Sequence, residues 1–256
     1  MTRIITFNAN GIRSADKKGF FNWFAGQDAD VLCIQELKAQ AETLPEHLLQ
    51  LPGYESRFHF AEKKGYSGCA LYTRLPAKSW EIGMGVPEFD SEGRFVAADL
   101  GFAVVISCYF PSGTSGDERQ AAKYRFLEAI VPVVDGIRNS GRQVVLCGDM
   151  NIAHKEIDLK NWKGNLDHSG FLPQERAWMT EFLDQHGWVD VFRRLDPNPG
   201  RYTWWSQRGK AREKNVGWRI DYQLATPQIA DRARQTSIYA DEKFSDHAPL
   251  IIDYDV

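Results

Sequence analysis

Short apolar runs that stop abruptly at polar residues recur along this 256-residue chain, and they limit its possible folds more than any other feature. In VVLCGDMN (144–151), Val144, Val145, Leu146 and Cys147 are rich in β-branched types and too few for a helix. They read as a strand buried on both faces and ended by Gly148. Asp149 and Asn151 follow, two residues apart. Extended backbone would aim both to one side, where a carboxylate and an amide can meet a single substrate oxygen. The same pair also suits a plain turn, because Asp and Asn bond their own backbone in loops. This segment alone does not choose between the two.

The pattern repeats. Ile4 to Phe7 ends in Asn8-Ala9-Asn10-Gly11, and Val31 to Ile34 ends in Gln35 and Glu36. Cys69 to Thr73, Phe95 to Leu100 and Val104 to Phe110 read as further strands, the last carrying Tyr109 just before Pro111-Ser112-Gly113. Trp218 to Leu224 carries Asp221, and Asp246 and His247 stand ahead of a final strand through Ile252. Apolar spacing predicts helices over Lys17 to Gly26, Ser115 to Val134 and Gln174 to Gln185, while Lys155 to Arg176 begins as polar loop. Strands and helices in both halves are compatible with paired sheets covered by helices.

A chain of this length can bury roughly 75% of its unfolded surface in one unit, and no Gly-, Pro- or Ser-rich linker divides it, so one domain over 1–256 is expected. Hydrophobic residues at 43% and charged residues at 25% belong to an ordinary soluble protein. Neither a membrane-length apolar run nor a signal-peptide pattern is present, so the cytoplasm, or in a bacterium the nucleoid, is the expected location. Cys33, Cys69, Cys108 and Cys147 form no CxxC pair and read as buried, reduced thiols. A net charge of −3 argues against indiscriminate binding to nucleic acid but leaves room for a local basic patch. Arg201, Arg208, Lys210, Arg212, Lys214 and Arg219 interleave with Tyr202, Trp204, Trp205 and Trp218. That mixture suits a nucleic-acid surface, and equally a solvated loop anchored by core tryptophans.

Collected together, the strand tips supply Asn8, Asn10, Glu36, Tyr109, Asp149, Asn151, Asp221, Asp246 and His247. Taken singly each has a plain structural explanation: a turn, a solvated end, a core ring, a salt bridge or a cap. Were they to converge, four carboxylates would share one pocket and each close pair would repel by ~4 kcal/mol at 4 Å. A divalent cation answers that repulsion, and carboxylate and amide oxygens suit Mg²⁺ or Mn²⁺ rather than zinc. A histidine oriented by a second carboxylate can stabilise charge on phosphorus or move a proton. Metal, His and Asp together suit attack of water on a phosphodiester.

Seven segments resemble the exonuclease III family of apurinic/apyrimidinic endonucleases, within the DNase I-like superfamily. They are FNANGIR (7–13), LCIQELK (32–38), YFPSG (109–113), GDMNIAHKEIDLKN (148–161), SGFLPQERAW (169–178), NVGWRIDY (215–222) and SDHAPL (245–250). The resemblance implies a four-layer α/β sandwich, with two packed mixed β-sheets flanked by helices. It implies Mg²⁺-dependent cleavage of DNA phosphodiesters, Mn²⁺ substituting, at abasic sites or blocked 3′ ends of damaged or nicked double-stranded DNA, and a monomer. By motif position, Asn10, Glu36 and Asp246 resemble the metal ligands. Asp149 resembles the residue that orients or deprotonates the attacking water, and Asn151 the amide beside the scissile phosphate. His247 and Tyr109 resemble the phosphate contacts, with Asp221 holding the histidine. Asn8 helps to arrange the site and counts with the substrate-facing group, as do Asn161 and Asn165 on the loop that meets DNA. Trp204, Trp218 and Ile220 fall where the family builds its pocket for a flipped-out abasic sugar.

Two departures stand out. Some members carry Asp where this chain has Asn10, so weaker metal binding is expected. His168 stands where many members carry a smaller residue, and it either narrows the abasic pocket in favour of 3′-end trimming or is an idle loop histidine. Two other classes share the scaffold. Catabolite repression control proteins keep the fold and lose catalytic residues, acting as nucleic-acid-binding regulators, and a further group hydrolyses small phosphoesters. The joint presence of Glu36, Asp149, Asn151, Asp221, Asp246 and His247 favours an active enzyme.

Overall fold

The computed structural model describes all 256 residues. Its strands are β1 (Thr2–Asn8), β2 (Val31–Gln35), β3 (Glu55–His59), β4 (Cys69–Thr73), β5 (Ser79–Ile82), β6 (Phe95–Asp99), β7 (Val104–Tyr109), β8 (Val144–Asp149), β9 (Val189–Asp190), β10 (Trp204–Trp205), β11 (Gly217–Trp218), β12 (Asp221–Ala225), β13 (Ala233–Ile238) and β14 (Leu250–Tyr254). One six-stranded sheet runs β13-β14-β1-β2-β4-β3 and the other β5-β6-β7-β8-β12-β9, with β10 and β11 as a separate ribbon. The apolar runs are buried on both faces because each sheet is covered twice. One side chain set, including Ile4, Val31, Cys33, Val105, Val145, Cys147 and Leu250, fills the space between the sheets. A second packs the outer face of one sheet against the helices Asp117–Asn139 and Pro173–Asp184. A third packs the other sheet against Ile12–Lys17 and Phe20–Ala25. Helix, sheet, sheet, helix is the α/β sandwich that the resemblance implied.

The topology gathers the polar tips. β1 runs parallel to β2 with Asn8 opposite Gln35, and β7 runs parallel to β8 with Tyr109 opposite Asp149. β12 is antiparallel to β8, which sets its first residue, Asp221, opposite Asp149. Four strand ends and one strand start therefore meet along one edge of the sandwich. Between the sheets just beneath that edge, Gln35 Nε2 donates to Ser107 Oγ (3.0 Å) and Ser107 Oγ donates to the Ile34 carbonyl (3.1 Å). These bonds pin the two sheets where the tips emerge.

Several expected boundaries move. β8 does not stop at Gly148 but runs through it, and glycine is required there because a Cβ would overlap the Cys108 carbonyl of the neighbouring β7. The helix expected over 17–26 starts only at Phe20, after Gly19, whose φ of 89° is left-handed, and an unexpected helix, Ile12–Lys17, precedes it. The 218–224 strand is interrupted between Trp218 and Asp221. The helix expected to close at Val134 continues through Pro132 to Asn139. All four cysteines are buried and unpaired, as expected, and no helix is long and apolar enough to cross a membrane.

Candidate active site

Asp149 sits at the bottom of a cleft of about 1060 Å³. It accepts hydrogen bonds from Asn8 Nδ2 (2.8 Å), from the Asn151 backbone N–H (2.8 Å) and from Asn151 Nδ2 (3.3 Å). The turn reading of the Asp149/Asn151 pair is the correct one, and the expected meeting of carboxylate and amide follows from it, not from extended backbone. The aspartate does bond its own backbone two residues on, with Asn151 in a left-handed conformation (φ 52°) rather than an extended one. That turn is what brings the amide beside the carboxylate, where its Nδ2 also donates to the Phe110 carbonyl (3.0 Å).

His247 Nδ1 lies 2.9 Å from Asp221 Oδ2, and Nε2 lies 3.8 Å from Asp149 Oδ2. Burial opposes a charged imidazole, but Asp221 beside it, followed by Asp149 and Asp246, pushes the His247 pKa up to about 10. Burial and the Asp221 charge push Asp149 up to about 7, against the pull of His247 and its hydrogen bonds from Asn151 and Asn8. The shared carboxylates thus favour the protonated imidazole, and burial makes Asp149 a better proton acceptor than an ordinary carboxylate. The ligand atoms of Asp149, Asp221 and His247 lie within 4.8 Å of one another, close enough to act as a metal-binding cluster.

A second acidic group lies alongside. Asn10 donates Nδ2 to Asp246 Oδ1 (2.8 Å), and its Oδ1 accepts from Lys38 Nζ (2.6 Å). The same ammonium is 2.8 Å from Glu36 Oε1. Asp246 also accepts from Ser245 Oγ and from Trp204 Nε1 (3.2 Å). Although burial works the other way, His247 first and then these donors lower the Asp246 pKa. An all-oxygen set of two carboxylates and an amide, already holding an ammonium, fits a hard divalent cation.

The cleft walls differ in character. On one side Trp204 faces Trp218 across the β10–β11 ribbon (ring centroids 6.4 Å apart), packed with Ile220 and Phe171. On the other, Tyr109 is buried, and its carbonyl accepts from Arg94 Nη1 (2.7 Å), whose guanidinium lies 4.9 Å from the Tyr109 ring. Arg94 also reaches the Tyr66 hydroxyl (3.2 Å) and Glu92 (2.6 Å). Burial, then Glu36 and Asp149, keep the Tyr109 hydroxyl un-ionised by raising its pKa. His168 lines the cleft rim with its side chain 61% exposed, and Nδ1 is 2.9 Å from Asp167.

The cleft is lined by Asn10, Glu36, Tyr109, Asp149, Asn151, His168, Trp204, Trp218, Ile220, Asp246 and His247, with Asp221 directly behind His247. Three expected substrate-facing residues do not line it. Asn8 is fully buried beneath Asp149, so it arranges the aspartate and has no surface to offer a substrate. Asn161 and Asn165 stand on the neighbouring loop, Asn165 Nδ2 donating to the Asn161 carbonyl (3.0 Å). The basic stretch is corrected more heavily. Arg219 is buried between Asp158 and Asp190, Arg212 is tied to the carbonyls of Ala240, Glu242 and Ser245, and Trp205 and Tyr202 are core residues. Sequence reasoning missed Lys38, Lys63, Tyr66, Arg94 and Arg119, all cleft residues. Only Lys38 had a signal, at the end of LCIQELK.

Residues 5–247 match the Endonuclease/Exonuclease/phosphatase family. An exodeoxyribonuclease from Bacillus subtilis (strain 168) is 38% identical over 250 residues, 97% of each chain. A DNA repair nuclease from Danio rerio is 34% identical over 253 residues, 98% of this chain and 81% of that protein. Among solved structures, an AP endonuclease from Archaeoglobus fulgidus superposes with a TM-score of 0.90 at 31% identity, all of both chains covered. A 3′ phosphatase from Neisseria, bound to a product DNA hairpin, superposes at 0.92 and 26% identity, again over both whole chains. With the sandwich, the cleft and a match across nearly its whole length, this chain belongs to the endonuclease/exonuclease/phosphatase family.

Proposed function

We propose that the protein is a hydrolytic DNA repair nuclease, cleaving phosphodiesters at abasic sites or blocked 3′ ends with Mg²⁺ held by Glu36, Asp246 and Asn10. The observation that carries this reading is Asp149 in one cleft with His247, Nε2 3.8 Å from its Oδ2, where burial and the Asp221 charge push the Asp149 pKa up to about 7. Asp149 is matched to take a proton from water at neutral pH, which is what a general base requires. Asn8 and Asn151 hold its two oxygens so that it faces the cleft. His247, fixed by Asp221, presents Nε2–H where charge develops on a phosphoryl oxygen, with the Asn151 amide and the Tyr109 hydroxyl beside it. Glu36, Asp246 and Asn10 would hold Mg²⁺, which when bound would supply further positive charge beside that oxygen. The Trp204, Trp218 and Ile220 wall suits an unstacked sugar.

The names of the relatives support DNA as the substrate, and a regulator of the catabolite repression control type has no use for an intact acid–base pair. Asp149→Asn removes the base while keeping the side chain's shape. Release of product from a 3′-blocked duplex in Mg²⁺ should fall by about 10³-fold or more, with duplex binding retained. Equal turnover by the variant overturns the assignment.

His168 is part of the same proposal. Its exposed imidazole on the rim adds bulk where an internal abasic sugar enters, favouring the smaller 3′ end. His168→Gly and His168→Asn should each raise internal abasic incision relative to removal of a 3′-phosphate at a nick. An unchanged ratio makes His168 an idle loop residue.

A further inference from the structure

We propose that the Lys38 ammonium is a tethered occupant of the divalent-cation site, so that metal binds by displacing a side chain of the protein itself. The proposal rests on the metal site assigned above. Lys38 Nζ lies 2.6 Å from Asn10 Oδ1 and 2.8 Å from Glu36 Oε1, two of the three oxygens assigned to the metal. An ammonium seated between Asn10 Oδ1 and Glu36 Oε1 stands where an ion on the same two oxygens would sit, and the two cations repel and compete for that pair.

The approach is built into the backbone. Asn10 (φ 44°), Glu36 (φ 59°) and Lys38 (φ 49°) all take left-handed conformations that side-chain-bearing residues seldom adopt. They are held there by a short ladder: Gly11 N–H to the Glu36 carbonyl (2.8 Å), Ile12 N–H to Leu37 (3.0 Å), Leu37 N–H to Gly68 (3.1 Å) and Lys38 N–H to Ser67 (2.8 Å). A flexible surface lysine wandering to the nearest acid needs no such framework. The Lys38 side chain is nonetheless 37% exposed, so it can leave Glu36 for water without unfolding anything.

The charge count points the same way. With Asn10 neutral, the site's own anions are Glu36 and Asp246, and one ammonium cancels half of their charge. Metal affinity is then set by exchange, and removing the ammonium should improve it. The predicted gain comes with no change to any metal ligand.

Mn²⁺ binding to metal-free protein, read from the electron paramagnetic resonance signal of the free ion, tests this without turnover. Lys38→Met and Lys38→Gln should each bind Mn²⁺ about tenfold more tightly than the parent, as expected for loss of a directly competing charge. Lys63→Met removes the same charge from the same cleft without vacating the site, and should change affinity less than about twofold. Equal or weaker binding in either Lys38 variant, or an equal gain in Lys63→Met, overturns the displacement. Glu36→Gln separates this from the metal assignment. Parent binding that survives Glu36→Gln overturns the assigned site, and the displacement falls with it.

Discussion

Asp221 touches the cleft only through His247, yet it is the group that sets the chemistry of both partners. It is the strongest influence raising the His247 pKa and, after burial, the strongest raising that of Asp149. The base works deprotonated, so kcat/KM should rise with pH through about 7; the histidine works protonated, so it should fall again toward about 10. Asp221→Asn deletes the shared cause. Both limbs should then move to lower pH together, as a pH–rate profile reads directly, and a profile displaced in one limb only would mean that Asp221 serves one partner. Much of this site was legible residue by residue, because Asp, Asn, Glu and His at strand ends announce themselves. Arg94 and Lys123 did not. A buried cation is invisible to composition, and both are fully enclosed, Lys123 against Glu175 (2.5 Å) and the Asn151 carbonyl (2.7 Å).

At the scale of elements, the strands read correctly from sequence are the ones buried on both faces, such as β2, β4, β7 and β8. Of those overlooked, β3, β5, β9 and β13 lie at sheet edges with exposed or half-buried residues and β10 in the separate ribbon, and β-branched apolar runs are no guide there. The loop from Lys155 to Lys160 also read as plain polar chain, although it is fastened to the sheet by charge. Asp158 Oδ1 accepts from Arg219 Nε (2.8 Å) and Arg193 Nε (2.9 Å), and Arg219 Nη2 reaches Asp190 (2.7 Å). Burial alone would raise the Asp158 pKa, but Arg219 and then Arg193 bring it down to about 2 from the ordinary 3.8. A carboxylate depressed on folding stabilises above its unfolded pKa, and the contribution is lost as pH falls through the folded one. Roughly 2 kcal/mol should therefore disappear between about pH 4 and pH 2. In Asp158→Asn that part of the acid unfolding curve should flatten, at a cost near neutrality on the order of 3 kcal/mol from an under-paired Arg219. Urea titrations at several pH values measure both.

The whole molecule carries a net charge of −3, so any grip on a DNA backbone has to come from a local field. On sequence, the 201–219 stretch was a dense basic strip. Folding thins it: Arg219 and Arg212 turn inward, while Arg201 and Lys210 stay exposed and pair with Asp196 and Glu213. Arg208 and Lys214 remain free of acidic partners there. In exchange the cleft brings up Lys38, Lys63 and Arg119, basic residues that lie far apart in sequence. Two of these already face Glu36 and Glu92, which leaves Lys63, Arg208 and Lys214, about three phosphate contacts. With a slope near −0.9 per contact, affinity for a nicked duplex should fall only about 40-fold from 50 to 200 mM salt. Binding of the Asp149→Asn variant across that range, without turnover to confuse it, gives the slope. A loss of 10⁴-fold or more would mean that the 155–165 loop engages the backbone with its lysines as well, while a flat response would mean that the cleft takes a small phosphoester and no duplex at all.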